Sequence, residues 1–278
     1  MLDKKIKFKT KDYLVSQENF TLIFDKDSDM LITEPQPKNL EKYYDPKNYI
    51  SHSDDKNSII EKVYQQVKKI TLNKKVKLID QYSLDEKSLL DIGCGTGEFL
   101  AYAKNKNWNT VGVEVNQNAR NKASNKKLII YKSLEDLPNK QFNIISLWHV
   151  LEHLPNLNEK ISLIKTKLDD NGTLIIAVPN YKSYDAKHYK EFWAAYDTPR
   201  HLWHFSQDAI KILFEKHNFK VTKTLPMYFD SFYVSLLSEK YKNGKSNYLK
   251  AFYRGLISNI KAKSNGEYSS LIYILKKK

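Results

Sequence analysis

The stretch from Leu89 to Leu100, with the letters LLDIGCGTGEFL, constrains the fold more than any other part of the chain. Ser88 to Ile92 is a short apolar run with an acid near its end, and the glycines at 93, 95 and 97 follow it. Three of the chain's eight glycines therefore fall within five residues, more than a plain strand–helix corner needs. Because glycine lets a ligand approach the backbone, the stretch predicts a buried strand, a ligand-binding turn and a helix starting at Glu98.

The spacing of the glycines and the residue after them restrict the type of ligand. Dinucleotide-binding turns have the spacing G-x-G-x-x-G and direct a helix amino terminus at a pyrophosphate. Here the spacing is G-x-G-x-G, and the next residue is Glu98. A carboxylate at the helix start disfavours an anionic ligand, so the sequence argues against a cofactor bound through its phosphates.

The letters from Asp91 to Gly97 resemble motif I of the class I S-adenosylmethionine-dependent methyltransferases. In that family the turn contacts the methionine part of the cofactor, which carries an ammonium and a sulfonium group and no phosphate. The resemblance implies S-adenosylmethionine as the cofactor. Acidic residues close to the turn are then electrostatically reasonable.

Alternating strand and helix patterns after residue 56 predict an α/β fold with a Rossmann-like, seven-stranded, mostly parallel sheet and helices on both faces. Two β-type runs, Phe20–Phe24 and Met30–Thr33, predict an N-terminal β-hairpin. We expect residues 1–55 to form this hairpin and a cover segment. Residues 56–278 then form the methyltransferase domain, with helical cap insertions at about 181–205 and 228–267.

Glu114 ends the second predicted strand about twenty residues after the glycine turn, where a carboxylate can accept both ribose hydroxyls of an adenosine cofactor. The resemblance places the adenine at the turn after the third strand, which begins with Ser133, and the methyl group near the residues after the fourth strand. The cofactor-binding residues that this predicts are Asp91, Gly93, Cys94, Gly95, Gly97, Glu114, Val115, Ser133, Leu134, Trp148 and His149.

The residues after the fourth strand, Trp148 to Pro155, are similar to a motif of the same family, a hydrophobe followed by H-x-L-E-H-L. His149 to His153 also matches the H-x-x-E-H motif of inverted zinc proteases. That motif lies within a long helix, whereas these residues leave a buried strand and meet Pro155 two positions later. The sequence therefore predicts no metal site.

A second informative stretch, from Lys187 to Phe205, concentrates histidine, tryptophan and arginine. It resembles the D-x-P-R-H-L-x-x-F segment of bacterial methyltransferases related to ubiquinone-pathway enzymes. The stretch could bind the methyl acceptor, or it could be a scaffold in which Arg200 pairs with Asp197. For the acceptor site, the predicted contacts are His153, Trp193, Tyr196, Arg200, His201 and His204.

Methyl transfer from a sulfonium group needs alignment of acceptor, methyl and sulfur, and a general base only where the acceptor must lose a proton. Histidine has a suitable pKa for that task, and His149 and His201 are the candidates. Arg200 could bind an acidic acceptor through two parallel hydrogen bonds.

The formal charge of +14 suggests a nucleic-acid partner, but only three of the 46 basic residues are arginines. The lysines are spread along the chain rather than clustered, so nucleic acid is an unlikely partner. The single cysteine, Cys94, and the lack of an apolar signal core predict a cytoplasmic protein. The basic, aromatic stretch 228–267 is open to two interpretations, a peripheral membrane contact or a lid helix packed on the sheet.

We therefore expect a methyltransferase that acts on an O or C atom of a small or lipid-like molecule. The sequence has neither the N/D-P-P-Y motif of amino-methylating DNA enzymes nor a second cysteine for cytosine C5 chemistry. Two alternatives stay open. One is an RNA or protein methyltransferase, suggested by the charge, and the other is a catalytically silent protein that keeps the fold.

Overall fold

The structure is a computed structural model, which describes residues 4–44, 59–83 and 86–278. These residues form two compact units. The described parts of the first are 4–44, 149–157 and 177–273, and those of the second are 59–83, 86–148, 158–176 and 274–278. Residues 45–55 of the predicted cover segment lie outside the described residues.

The described chain alternates strands and helices from residue 59 onward. The strands are β1 (Lys4–Lys11), β2 (Asn19–Asp25), β3 (Met30–Glu34), β4 (Ser88–Ile92), β5 (Asn109–Val113), β6 (Ile129–Tyr131), β7 (Phe142–Trp148), β8 (Leu168–Pro179), β9 (Trp203–His204), β10 (Phe219–Pro226) and β11 (Ser270–Lys277). The helices are α1 (Ile59–Asp80), α2 (Glu98–Lys104), α3 (Gln117–Ser124), α4 (Leu157–Lys167), α5 (Tyr184–Tyr189), α6 (Gln207–Glu215), α7 (Asp230–Asn243) and α8 (Tyr248–Asn265).

Seven strands form one sheet in the order β10-β11-β8-β7-β4-β5-β6. Its centre is parallel, because β4 pairs with β5 and β7, and β5 pairs with β6, all in parallel register. Every residue of β4 is buried, as expected for a strand covered on both faces. The predicted Rossmann-like sheet is confirmed.

A separate antiparallel sheet has the order β1-β2-β3-β9 and lies within the first unit. The pairing of β2 with β3 confirms the predicted hairpin. Its two outer strands, β1 and β9, were not predicted from the sequence. Alternation of lysine with Ile6 and Phe8 was the available signal for β1, whereas the two residues of β9 are too few to produce a pattern. In β9, Trp203 pairs with Ile32 and His204 with Leu31.

Helices α7 and α8 occupy most of the predicted insertion at 228–267 and pack closely against each other. Gly255 makes this possible, because a Cβ atom there would lie 2.7 Å from Phe232 Cδ1 and 3.0 Å from its backbone nitrogen. Among the described residues, no helix combines the length and apolar character needed to cross a bilayer.

Candidate functional site

The glycine turn between β4 and α2 has a left-handed backbone at all three of its glycines. Gly93, Gly95 and Gly97 have φ angles of 68°, 55° and 76°, which lie in the region that favours glycine. At Gly97 a Cβ atom would also lie 2.5 Å from Leu128 Cδ1, so this glycine is required for packing. At Gly95 a Cβ atom would meet none of the described residues within 4 Å, so among them this part of the turn faces open space.

Glu114 lies next to this open part of the turn. Its Oε2 accepts a hydrogen bond of 2.9 Å from the Gly95 amide, and its Oε1 accepts one of 2.8 Å from the Asn116 amide. The carboxylate is therefore fixed at the turn by two backbone donors. The next residue, Val115, is 77% exposed and offers an apolar surface beside it.

Asp91 and Trp148 come from neighbouring strands of the second unit. The Ser146 hydroxyl donates a 2.6 Å hydrogen bond to Asp91 Oδ1. Burial nevertheless raises the pKa of Asp91 to about 7, because the Ser146 hydrogen bond and the charge of Lys75 only partly offset the desolvation. Lys75 Nζ also lies 4.2 Å from the ring of Trp148, whose indole N–H is buried without a hydrogen-bond partner.

Three other predicted cofactor residues have mainly local contacts. Burial raises the pKa of the Cys94 thiol, so this cysteine stays protonated and packs as an apolar residue. Ser133 donates through its amide and its hydroxyl to Asp136 Oδ2, at 3.1 and 3.0 Å. Leu134 is buried.

In the first unit, His149 lies between two carboxylates. Its Nε2 is 3.0 Å from Asp230 Oδ2, and its Nδ1 is 3.4 Å from Glu152 Oε1. Burial opposes the charged form, but the hydrogen bond to Asp230 and the interaction with Glu152 outweigh it and raise the pKa of His149 to about 10. The side chain is therefore an imidazolium at neutral pH, which does not suit the predicted role of general base.

Arg200 is 5% exposed and already committed to protein partners. Its guanidinium donates to the Asp197 carboxylate at 2.7 to 3.0 Å, to Asp12 Oδ1 at 2.9 Å and to the Tyr43 carbonyl at 2.9 Å. Burial opposes ionisation of Asp197, but the arginine holds the pKa of that carboxyl below its usual range. These contacts match the scaffold alternative, in which Arg200 pairs with Asp197, and the acceptor-binding and catalytic roles predicted for Arg200 stay predictions.

His153 and His201 lie together, with ring centroids 4.5 Å apart. His153 Nδ1 is 3.0 Å from the Arg200 carbonyl, and His201 Nδ1 is 2.8 Å from the Ala195 carbonyl. Burial is the main cause that lowers the pKa of His153 to about 4, so this ring is neutral at pH 7. Glu152 was not predicted as a site residue, although it lies between His149 and His153 in the sequence motif.

Trp193, Tyr196 and His204 are part of the interior of the first unit. The Trp193 indole donates a 2.7 Å hydrogen bond to Asp185 Oδ2, and Tyr196 packs edge-on against it. His204 Nε2 is 3.0 Å from the Thr33 hydroxyl, and burial lowers its pKa well below the usual value. All three side chains are therefore buried within the first unit, and their predicted acceptor contacts stay predictions. Aromatic and imidazole side chains can satisfy their polar atoms inside a core, and sequence composition alone does not distinguish this from a binding site.

Comparison with known families assigns this architecture. A family model described as "Methyltransferase domain" matches residues 64–224, more than half of the chain. The chain belongs to this methyltransferase domain family. An uncharacterized protein of Methanocaldococcus jannaschii is 31% identical over 151 residues, which cover 50% of this chain and 58% of that protein. A second uncharacterized protein of the same organism is 28% identical over 128 residues, which cover 45% of this chain and 56% of that protein. The chain thus spans less than two thirds of the length of the curated relatives it matches.

Solved structures share the methyltransferase fold. A SAM-dependent methyltransferase from Archaeoglobus fulgidus is 22% identical with a TM-score of 0.51, covering 75% of this chain and 94% of its own. A cyclopropane synthase of Mycobacterium tuberculosis is 16% identical with a TM-score of 0.52, and the match covers 73% of this chain and 83% of that protein. Magnesium protoporphyrin IX methyltransferase of Synechocystis, solved with bound SAH, is 14% identical with a TM-score of 0.52, and the match covers 80% of this chain and 88% of that protein. These likenesses confirm the predicted fold.

Proposed function

We propose that this methyltransferase domain uses S-adenosylmethionine to methylate an O or C atom of a small or lipid-like molecule. The observation that carries the proposal is the Glu114 carboxylate bonded to the amide of Gly95, at the open part of a left-handed glycine turn. That arrangement provides an acceptor for ribose hydroxyls and room for the cofactor at the backbone.

The residues around the turn fit this cofactor by charge and by shape. The open space at Gly95 accommodates a ligand where a side chain would otherwise project. Exposed Val115 offers an apolar contact for an adenine ring, and the unpaired Trp148 indole N–H can donate to a ligand. When bound, the cofactor supplies an electrophilic methyl group on a sulfonium. The protein's contribution is then to bind, align and exclude water.

Two likenesses support the acceptor class. The fold relatives include proteins named as a cyclopropane synthase, in one case a mycolic acid cyclopropane synthase, and a porphyrin methyltransferase. The D-x-P-R-H-L-x-x-F segment adds its resemblance to ubiquinone-pathway methyltransferases. A small or lipid-like acceptor is consistent with both.

Exposed apolar residues on α7, on α8 and at the two positions before α7 support a peripheral membrane contact for this protein. Leu249 is 85% exposed, and the sequence of these two helices contains many lysines. The exposed set is Tyr228, Phe229, Tyr233, Tyr248, Leu249, Phe252, Tyr253, Leu256 and Ile260, which we call the aromatic face. Basic surfaces with exposed aromatic rings favour the interface of anionic lipid bilayers, where a lipid-like acceptor would also be found.

Calorimetric titration with S-adenosylmethionine tests the cofactor, and Glu114→Gln is the matched variant. We expect the wild type to bind and the variant to lose about 10- to 100-fold in affinity, because one charged acceptor of the ribose hydroxyls is lost. Absence of heat and of any change in Tm with the wild type would contradict the proposal.

Labelled cofactor incubated with a fractionated cell extract then tests the acceptor. Transfer of label to an organic-soluble fraction supports a lipid-like acceptor, whereas label in RNA or protein rejects it. Binding without transfer to any fraction would instead support a catalytically silent protein.

A further inference from the structure

We propose that Glu152, His153 and His201 bind a divalent transition-metal ion, Zn²⁺ or Fe²⁺, through one atom of each side chain. The potential ligand atoms all lie within 4.8 Å of one another. In a tetrahedral site with bonds of about 2.1 Å, ligand atoms are about 3.4 Å apart. Small side-chain movements are therefore enough to close the three atoms around an ion.

The three residues come from two segments that the backbone holds together. Glu152 and His153 lie in a 3₁₀ turn, Leu151–His153, which follows β7. His201 precedes Leu202, whose amide donates a 2.8 Å hydrogen bond to the Glu152 carbonyl. The ligand set is therefore positioned by main-chain contacts and does not depend on long flexible segments.

The tautomers of the two imidazoles make their Nε2 atoms available. A carbonyl oxygen can only accept a hydrogen bond, so a proton on Nδ1 of His153 and of His201 satisfies the contacts with the Arg200 and Ala195 carbonyls. The Tyr44 hydroxyl, 3.1 Å from the same His153 nitrogen, then accepts from it and does not donate to it. Each Nε2 then carries a free lone pair. Metal-binding histidines usually have this arrangement, in which the other ring nitrogen donates to a carbonyl or carboxylate and fixes the ring.

Glu152 supplies the negative charge and has an unused oxygen. Its side chain is 1% exposed, and among the described residues neither carboxylate oxygen has a hydrogen-bond partner. Oε1 has the ion-pair contact of 3.4 Å with His149, and Oε2 has no ion-pair contact within 4 Å in the described part of the chain. Because the His149 contact is long and reaches only one oxygen, a cation at this position would satisfy the other oxygen of the buried carboxylate.

Taken together, two nitrogen lone pairs and the Glu152 carboxylate face each other, and none of these three ligand atoms donates a hydrogen bond to another. A proton can join two of these acceptors, but only a metal ion can satisfy all three. Asp197 Oδ2, 4.0 Å from His201 Nε2, adds further negative charge while remaining bonded to Arg200. The arrangement therefore favours a cation over an anionic or neutral ligand.

This site differs from the inverted zinc motif that the letters of residues 149–153 suggest. His149, the first histidine of that motif, is bound through Nε2 to Asp230 and is not among the three ligands. His201, 52 positions further along the chain than His149, takes its place, and sequence spacing does not reveal such a residue. Two imidazoles with one carboxylate suit Zn²⁺ and also non-haem Fe²⁺, and either ion would keep coordination positions open for water or a substrate oxygen.

Metal titration of the full chain tests the proposal. Purified protein is treated with a chelator and titrated by calorimetry with Zn²⁺ and, under anaerobic conditions, with Fe²⁺; Co²⁺ is added separately to record its visible spectrum. We expect one equivalent of metal per chain, a Co²⁺ spectrum typical of nitrogen and oxygen ligands, and a Tm rise of about 5 °C at a hundredfold excess over Kd. The metal content of untreated protein then distinguishes zinc from iron.

Variants assign the ligands. Glu152→Gln, His153→Gln and His201→Gln should each weaken binding by at least about 100-fold, whereas the matched control His188→Gln, outside the cluster, should bind as the wild type does. Far-UV circular dichroism identifies any variant that fails to fold, and the Co²⁺ spectrum of the wild type remains informative in that case. Absence of stoichiometric binding by the wild type, or equal binding by folded ligand variants, would overturn the proposal.

Discussion

His149 Nε2 and Asp230 Oδ2 lie 3.0 Å apart, and they join the end of β7 to the first turn of α7. His149 itself has a φ of 57°, an unfavourable backbone conformation for a residue with a Cβ atom. The ion pair thus fixes the charge and the direction of the side chain that directly follows Trp148 in the chain.

Replacement of Asp230 by asparagine should lower the pKa of His149. Burial disfavours the imidazolium, and the Asp230 carboxylate is the strongest interaction that opposes this effect. NMR titration of the histidine ring protons would measure the change, with the exposed Asp208→Asn as the control. An unchanged pKa of His149 in Asp230→Asn would refute the assignment.

Asp91 should make the stability of the protein fall as the pH rises. Its pKa is raised from 3.8 to about 7, so the folded state holds a proton that the unfolded state releases. Its stabilising contribution is complete below pH 4 and is lost as the pH approaches 7. The free energy of unfolding of the wild type should therefore fall by about 4 kcal/mol relative to Asp91→Asn across this range.

Urea denaturation at several pH values between 4 and 8 measures that difference. The control is Asp27→Asn, which replaces an exposed carboxylate in the β2–β3 turn. A constant difference between wild type and Asp91→Asn would show that Asp91 does not hold the proton.

Alanine substitutions at Gly95 and Gly97 should separate binding from stability. Both residues have positive φ, so each alanine costs about 1–2 kcal/mol in backbone strain. Gly97→Ala adds the clash with Leu128 and should be clearly less stable than Gly95→Ala. Gly95→Ala should fold but lose most of its affinity for S-adenosylmethionine, because its methyl group enters the open space. Thermal unfolding and calorimetry measure the two effects, and full affinity in Gly95→Ala would argue against cofactor binding there.

Removal of Arg200 should destabilise the protein more than it changes acceptor binding. Arg200→Ala leaves the Asp12 and Asp197 carboxylates without their cation, at a cost of about 3–5 kcal/mol. Chemical denaturation measures this loss, and Arg254→Ala on α8 is the matched control. A variant of wild-type stability with a raised KM for the acceptor would support the acceptor-binding role.

The aromatic face should mediate binding to anionic vesicles. Co-sedimentation with vesicles containing phosphatidylglycerol should retain the wild type and release Leu249→Ser/Phe252→Ser, because about 1.5–3 kcal/mol is lost with each apolar side chain. Neutral phosphatidylcholine vesicles test the contribution of the lysines. Equal retention of the variant and the wild type would exclude this face as the contact.

The sequence predicted the sheet well because its signals are local. Apolar strands such as β4 and the glycine turn after it have patterns that short segments reveal. The partners of the histidines could not be predicted in this way. Asp230 lies far along the chain from His149, and the carbonyls that orient His153 and His201 depend on tertiary packing. The composition of residues 187–205 correctly marked an unusual segment, but Trp193 and Tyr196 proved to be part of a core.

The pairing of β3 with β9 also has a consequence for folding during synthesis. Thr33 in β3 and His204 in β9 are hydrogen-bonded although 171 positions separate them. Strand β3 leaves the ribosome well before β9, so one edge of β3 stays unpaired until residue 204 has been made. Contacts of such large sequence separation form slowly. The antiparallel sheet is therefore completed only after most of the strands of the parallel sheet have been synthesised.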